Sequence, residues 1–124
     1  MKYVLDASVA AKWFNVEEFS DEAVDIMHAH VRGQIELVAP CHIVYEVGNS
    51  LWKNPQIDSD SAREAIAALV SLHIELLRPT AARVFRTMEI AKERGLTFYD
   101  ASYVPVSYTH LRAHETRHDL VCRL

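Results

Sequence analysis

Short apolar runs alternate along the chain with longer stretches whose apolar positions recur at helical spacing. The runs at 3–5, 35–39 and 74–77 are typical of buried strands. The spacing predicts helices over 7–14, 20–33, 40–54, 58–72 and 80–94, with a further helical element opening at 97–100. Strands that alternate with helices indicate an α/β fold with a parallel sheet.

Local chemistry adds expectations about single positions. Ser20, followed by two acids, is expected to cap its helix. Pro40 is expected to open a helix, where its missing N–H costs nothing. Trp52, Phe85 and Met88 fall on the apolar stripes of their helices, so we expect them to be buried.

Length and composition fit one cytoplasmic domain. The 124 residues suffice for one hydrophobic core, and the net charge of −4 excludes a polycationic nucleic-acid binder. The two cysteines, Cys41 and Cys122, form no CxxC pair, which favours a reducing compartment. No apolar run approaches the roughly 18 residues of a membrane span, and the apolar start before Asp6 is too short for a signal peptide. We therefore expect no membrane partner.

The character of the sequence changes near its end. Residues 106–124 resemble a translated sequencing adapter, so we interpret residues 1–104 as the natural domain and 105–124 as a non-native tail. The tail places His110, His114 and His118 four residues apart, a spacing that imitates a zinc site on a helix. Because an adapter is not selected for metal binding, we assign these histidines and Cys122 no function.

Three acids stand at suggestive places in the natural part. Asp6 follows the first predicted strand, where open parallel sheets bind their ligands. Glu46 lies near the edge of an apolar helix face, and Asp100 opens the last predicted element. Taken singly, a helix cap or a solvated position explains each of them as well. Taken together, they suggest a carboxylate site for Mg²⁺, which prefers oxygen ligands and activates bound water.

Three segments resemble the motifs of VapC-like PIN domains. These are 3–14 (YVLDASVAAKWF), 40–51 (PCHIVYEVGNSL) and 96–104 (LTFYDASYV), in the order and spacing of that family. The resemblance implies a three-layer fold, in which helices flank a short parallel sheet. It also implies a metal-dependent endoribonuclease that serves as the toxin of a type II toxin–antitoxin system.

The same resemblance implies roles for single residues. Asp6, Glu46 and Asp100 would be the catalytic acids, with Asp6 and Asp100 as ligands of Mg²⁺ or Mn²⁺. Ser8 and Asn49 would support the site. The implied partners are an RNA substrate, a cognate antitoxin and a second copy of the chain in a homodimer.

The end of the sequence departs from the family pattern. The family continues past the third motif through a helix and a final strand that carries a further aspartate. Asp119 falls near that place, but the residues before it do not resemble a buried strand. We therefore expect a C-terminally truncated domain, less stable and less active than a full-length parent.

Two other interpretations remain open. A phosphatase of the haloacid dehalogenase type would also use an aspartate at the end of a strand. That class needs a second aspartate two residues later, and Ser8 stands there instead. The other alternative is a catalytically impaired PIN module that only binds an antitoxin.

Overall fold

The computed structural model describes residues 1–110, and the side chains of 1–106. Three strands, β1 (Lys2–Val4), β2 (Glu36–Pro40) and β3 (Glu75–Leu77), alternate with helices along the chain. The helices are α1 (Ala7–Ala11), α2 (Ser20–Val31), α3 (Ile43–Lys53), α4 (Ser59–Ser71), α5 (Ala81–Arg94), α6 (Phe98–Ala101) and α7 (Tyr103–His110). His114, His118, Asp119 and Cys122 lie outside the described residues, as does the side chain of His110.

The described strands form one parallel sheet in the order β1-β2-β3. Val4 pairs with Val38, which in turn pairs with Glu75. Because all three strands run the same way, their carboxyl ends meet at one edge of the sheet. That edge carries the segments at 5–7, 41–43 and 78–80, and therefore the start of α1 and of α3.

Alternate residues of the strands pack on opposite faces of the sheet, as the pleat requires. Leu5, Leu37 and Ala39 face a core built with α1 to α4. Val4 and Val38 face the other way, against Tyr103 and Val106 of α7. A third cluster joins Ile90 and Ala91 of α5 to Ala101 of α6. Helices thus cover both faces, and the predicted three-layer α/β fold is confirmed.

The predicted helix boundaries are confirmed where a side chain or a glycine sets them. The side chains of Asp58, Thr80 and Thr97 each accept a backbone N–H at the start of a helix. Gly95 ends α5 in the left-handed conformation, with φ of 65°, which glycine adopts without the steric cost of a Cβ.

Two boundary predictions are wrong. Phe19, with φ of 64°, occupies the N-cap position of α2. Ser20 is the first helical residue and uses its hydroxyl to bind the loop before it, at the Asn15 carbonyl. Pro40 does not open α3 but ends β2, and His42 stands at the N-cap position.

Three predicted core residues are wrong as well. Trp52 is 80% exposed, Phe85 67% and Met88 47%. On α3 the core contacts are made by Ile43, Val47 and Leu51, so Trp52 is directed away from them.

Helix α7 runs through the predicted junction at Pro105, and Val106 is buried against the sheet. The boundary between a natural domain and a non-native tail at residue 104 therefore stays a prediction, because packing does not show which DNA encoded a residue. None of the described helices has the length and apolar character that crossing a membrane demands.

Candidate active site

Asp6 stands where β1 passes into α1, at the carboxyl edge of the sheet. Its side chain caps α1 by accepting the Ser8 N–H at 3.2 Å, and the Ser8 hydroxyl donates to the same Oδ2. A carboxylate at a helix start is stabilised by the free N–H groups there. Asp6 is therefore the cap of α1, and Ser8 orients its carboxylate. Its role as a site acid stays a prediction.

Glu46 projects from α3 and is held by two aromatic neighbours. The Tyr103 hydroxyl donates to Glu46 Oε1 at 2.7 Å, across 57 residues of sequence. The same Oε1 lies 3.4 Å from His42 Nε2, one helical turn earlier. Since the side chain of Glu46 is only 31% exposed, these contacts restrict the carboxylate to one position.

His42 links Glu46 to the third sequence motif. Its Nε2 lies 3.0 Å from Ser102 Oγ, and its ring packs at centroid distances of 5.5 Å from Tyr99 and 5.8 Å from Tyr103. Burial lowers the pKa of His42, so the imidazole is neutral at physiological pH. We therefore interpret its contact with Glu46 as a polar contact rather than an ion pair.

The charges of the other two acids reach Glu46. Burial is the largest cause that raises the pKa of Glu46, and the negative charges of Asp6 and Asp100 raise it further. The hydrogen bond from Tyr103 acts in the opposite direction, because it stabilises the ionised form. The structure thus brings Asp6 and Asp100 within electrostatic reach of Glu46.

Asp100 reaches this place through α6. The N–H of Asp100 donates to Thr97 Oγ1 at 3.1 Å, which caps the short helix. The carboxylate of Asp100 is exposed in the first turn. The cap therefore uses the backbone of Asp100 and leaves its side chain available.

A pocket of about 700 Å³ opens beside Glu46. Of the predicted site residues, Ser8, Glu46 and Asn49 line it. Asp6 and Asp100 are not among its lining residues, although each is next in sequence to one, Ala7 and Tyr99. Glu17 lines it from the loop before α2 and is paired at 3.2 Å with Lys12.

A buried polar network anchors that loop. Asn15, 8% exposed, donates to Ser50 Oγ at 2.9 Å and accepts from Asn54 Nδ2 at 2.8 Å. Its carbonyl accepts from the Ser20 hydroxyl at 3.1 Å. Because a buried amide must satisfy its hydrogen bonds, the network ties the loop of Glu17 to the end of α3.

The donor set suits a hard divalent cation. Carboxylate oxygens are the ligands that Mg²⁺ prefers, and three carboxylates repel each other unless a cation lies among them. Within residues 1–106, however, no three His, Cys, Asp or Glu side chains are close enough to form a ready metal-binding group. The metal roles of Asp6 and Asp100 stay predictions.

Sequence reasoning missed His42, Tyr103, Glu17 and Tyr99. His42 was detectable, since a residue four positions before Glu46 shares its helix face. The contact of Tyr103 with Glu46 depends on the docking of α7, which no local pattern shows.

Comparison with known proteins places these features in a family. Residues 3–110 match the PIN domain family. The chain is 40% identical over 76 residues to the exonuclease VapC9 of Pyrobaculum aerophilum, a match covering 58% of this chain and 55% of that protein. It is 31% identical over 112 residues to the ribonuclease VapC3 of the same organism, covering 86% of this chain and 82% of that protein. The resemblance of the three motifs is thereby confirmed, and the chain belongs to the PIN-domain family.

Proposed function

We propose that the chain is a metal-dependent endoribonuclease and the toxin of a toxin–antitoxin pair. The observation that carries the proposal is the position of Glu46, half-buried beside a pocket and within reach of the charges of Asp6 and Asp100. A half-buried carboxylate close to two other negative charges is energetically unfavourable, and a cation bound among them would offset that cost. The names of the two relatives, an exonuclease and a ribonuclease, support a nuclease.

Each polar side chain has a part in the proposed reaction. Asp6 and Asp100 would hold Mg²⁺ or Mn²⁺, with Ser8 orienting Asp6 through its hydrogen bonds. When bound, the metal would supply a more acidic water and neutralise charge on the attacked phosphate. Glu46 would accept the proton of the water, since its raised pKa brings it nearer to the working range of a general base. Tyr103 would hold Glu46 in place, and Asn49 would contact RNA from the pocket wall.

The proposed partners follow from the same function. A VapC-like toxin needs an antitoxin to restrain it, and a homodimer would present two pockets to RNA. The free thiol of Cys41 is in keeping with activity in the cytoplasm, where RNA is found.

The test compares cleavage of total cellular RNA by the unmodified protein and by Asp6→Asn. Asparagine caps helices as well as aspartate does, so the variant should fold while losing the charge. We expect cleavage that requires Mg²⁺ or Mn²⁺ and is lost in Asp6→Asn. Asp21→Asn, an exposed position on α2, is the matched control and should cleave normally.

The other outcomes are equally informative. Cleavage that survives Asp6→Asn would assign the activity to a contaminating nuclease and contradict the proposal. A folded protein that binds its antitoxin but cleaves no RNA would favour the binding-module interpretation.

A further inference from the structure

A second, smaller pocket adjoins the first and shares His42 with it. Its volume is about 130 Å³, and it lies at the carboxyl ends of β2 and β3. Its walls are mostly apolar and include Pro40, Leu77, Val84 and Phe98. Small-molecule pockets commonly measure roughly 300 to 1,000 Å³, so this one has room for a single ring system rather than a whole cofactor.

Two arginines also line this second pocket. Arg83 Nη1 donates to the carbonyl of Arg78 at 2.9 Å, which holds the two residues together. No carboxylate in the described part of the chain forms an ion pair with either guanidinium. In a chain of net charge −4, this leaves positive charge concentrated beside an apolar cavity.

The combination points to a ligand with a flat apolar part and an anionic part. Guanidinium groups bind phosphate through paired hydrogen bonds, and aromatic rings such as Phe98 stack on bases of any sequence. Since His42 borders both pockets, one strand of linked nucleotides can occupy the two at once.

We propose that the second pocket is a nucleotide subsite, which takes the base next to the cleaved phosphodiester and holds its phosphate on Arg78 and Arg83. The proposal rests on the ribonuclease function proposed above. The pocket takes an unpaired base, because a base engaged in pairing cannot enter a cavity of this size.

The experiment measures binding of a short labelled single-stranded RNA by fluorescence anisotropy, in the Asp6→Asn background so that the RNA stays intact. Arg78→Gln with Arg83→Gln should weaken binding. The slope of log affinity against log salt should also fall, by roughly 0.7 for each phosphate that the variant no longer neutralises. Phe98→Leu should weaken binding roughly tenfold with the salt slope unchanged, because it removes stacking and no charge.

Arg32→Gln with Arg63→Gln is the matched control. Both residues are exposed, Arg32 at the C-cap of α2 and Arg63 on α4, in the helical layer of the opposite sheet face. Their replacement should leave the binding and the salt slope nearly unchanged. Circular dichroism and melting curves establish that each variant is folded.

Three results would overturn the proposal. If the unmodified protein cleaves RNA while the Arg78 and Arg83 double variant binds like its control, the subsite proposal fails and the ribonuclease proposal stands. If the variants lose antitoxin binding but keep RNA binding, the pocket accommodates a side chain of the antitoxin, and the subsite proposal fails. If the protein neither cleaves nor binds RNA, both proposals fail.

Discussion

Glu46 combines three features that are unfavourable for an ionised side chain. Its side chain is half-buried, and the negative charges of both Asp6 and Asp100 repel its own charge. Only the Tyr103 hydrogen bond stabilises its charged form among the causes that change its pKa. Active sites commonly sacrifice stability in this way for chemistry, so the carboxylate should destabilise the metal-free fold.

We therefore predict that Glu46→Gln stabilises the metal-free protein at neutral pH. Glutamine keeps an acceptor for the Tyr103 hydroxyl and removes the buried charge. The expected gain is about 0.5 to 2 kcal/mol, the usual range for single stabilising changes. Denaturant unfolding in the presence of a chelator measures it. Glu64→Gln, on the exposed face of α4, should change little, and a destabilised Glu46→Gln would contradict the prediction.

Single site residues were predictable to different degrees. Asp6 could be selected as a candidate because the sequence predicts the end of a strand there. Glu46 and Asp100 could be selected because their motifs resemble those of a family. The partners that set the properties of Glu46 come from α7 and from the charges of distant segments. Such contacts depend on how distant segments of the chain pack against one another, which the periodicity of a sequence does not encode directly.

Helix α4 shows how one side chain sets the start of an element. The Ser61 N–H donates to Asp58 Oδ1 at 2.7 Å, and this bond lowers the pKa of Asp58. A lowered folded-state pKa means that the ionised form stabilises the fold. That contribution is complete above the unfolded-state pKa and is lost as the pH falls through the folded-state pKa.

We predict that Asp58→Ala lowers the melting temperature at neutral pH, and that the difference from the unmodified protein shrinks in acid. Asp58→Asn is the matched control, because it keeps the cap without a titrating group. Its melting temperature should lie near that of the unmodified protein at neutral pH. A deficit of Asp58→Ala that is equal at neutral and acidic pH would contradict the role of the charge. Melting curves across this pH range decide the matter.

At the element scale the sequence was informative because capping and periodicity are local. Asp58 and Thr80 cap the starts of α4 and α5, and Gly95 ends α5, as expected. The errors concern positions where two rules compete. Pro40 suits a helix start but equally the end of a strand, and Phe85 is apolar on a helix whose buried face is narrow.

The whole molecule depends on α7 to cover the second face of the sheet. Val106 is 2% exposed and packs with Val4 and Val38. We predict that Val106→Ala destabilises the protein by roughly 1.5 to 3 kcal/mol, from reduced burial and the cavity left behind. Val16→Ala is the control, since Val16 is fully exposed. Urea unfolding measures the stability of both variants, and equal midpoints would show that the packing of α7 on the sheet does not stabilise the core.

The order in which the chain supplies its acids has a consequence for synthesis. Asp6 leaves the ribosome first, Glu46 follows, and Asp100 and Tyr103 come only with α6 and α7. Until those last helices emerge, the nascent chain lacks one acid and the hydroxyl that holds another. The set of candidate acids is therefore complete only once nearly all of the described residues have been made.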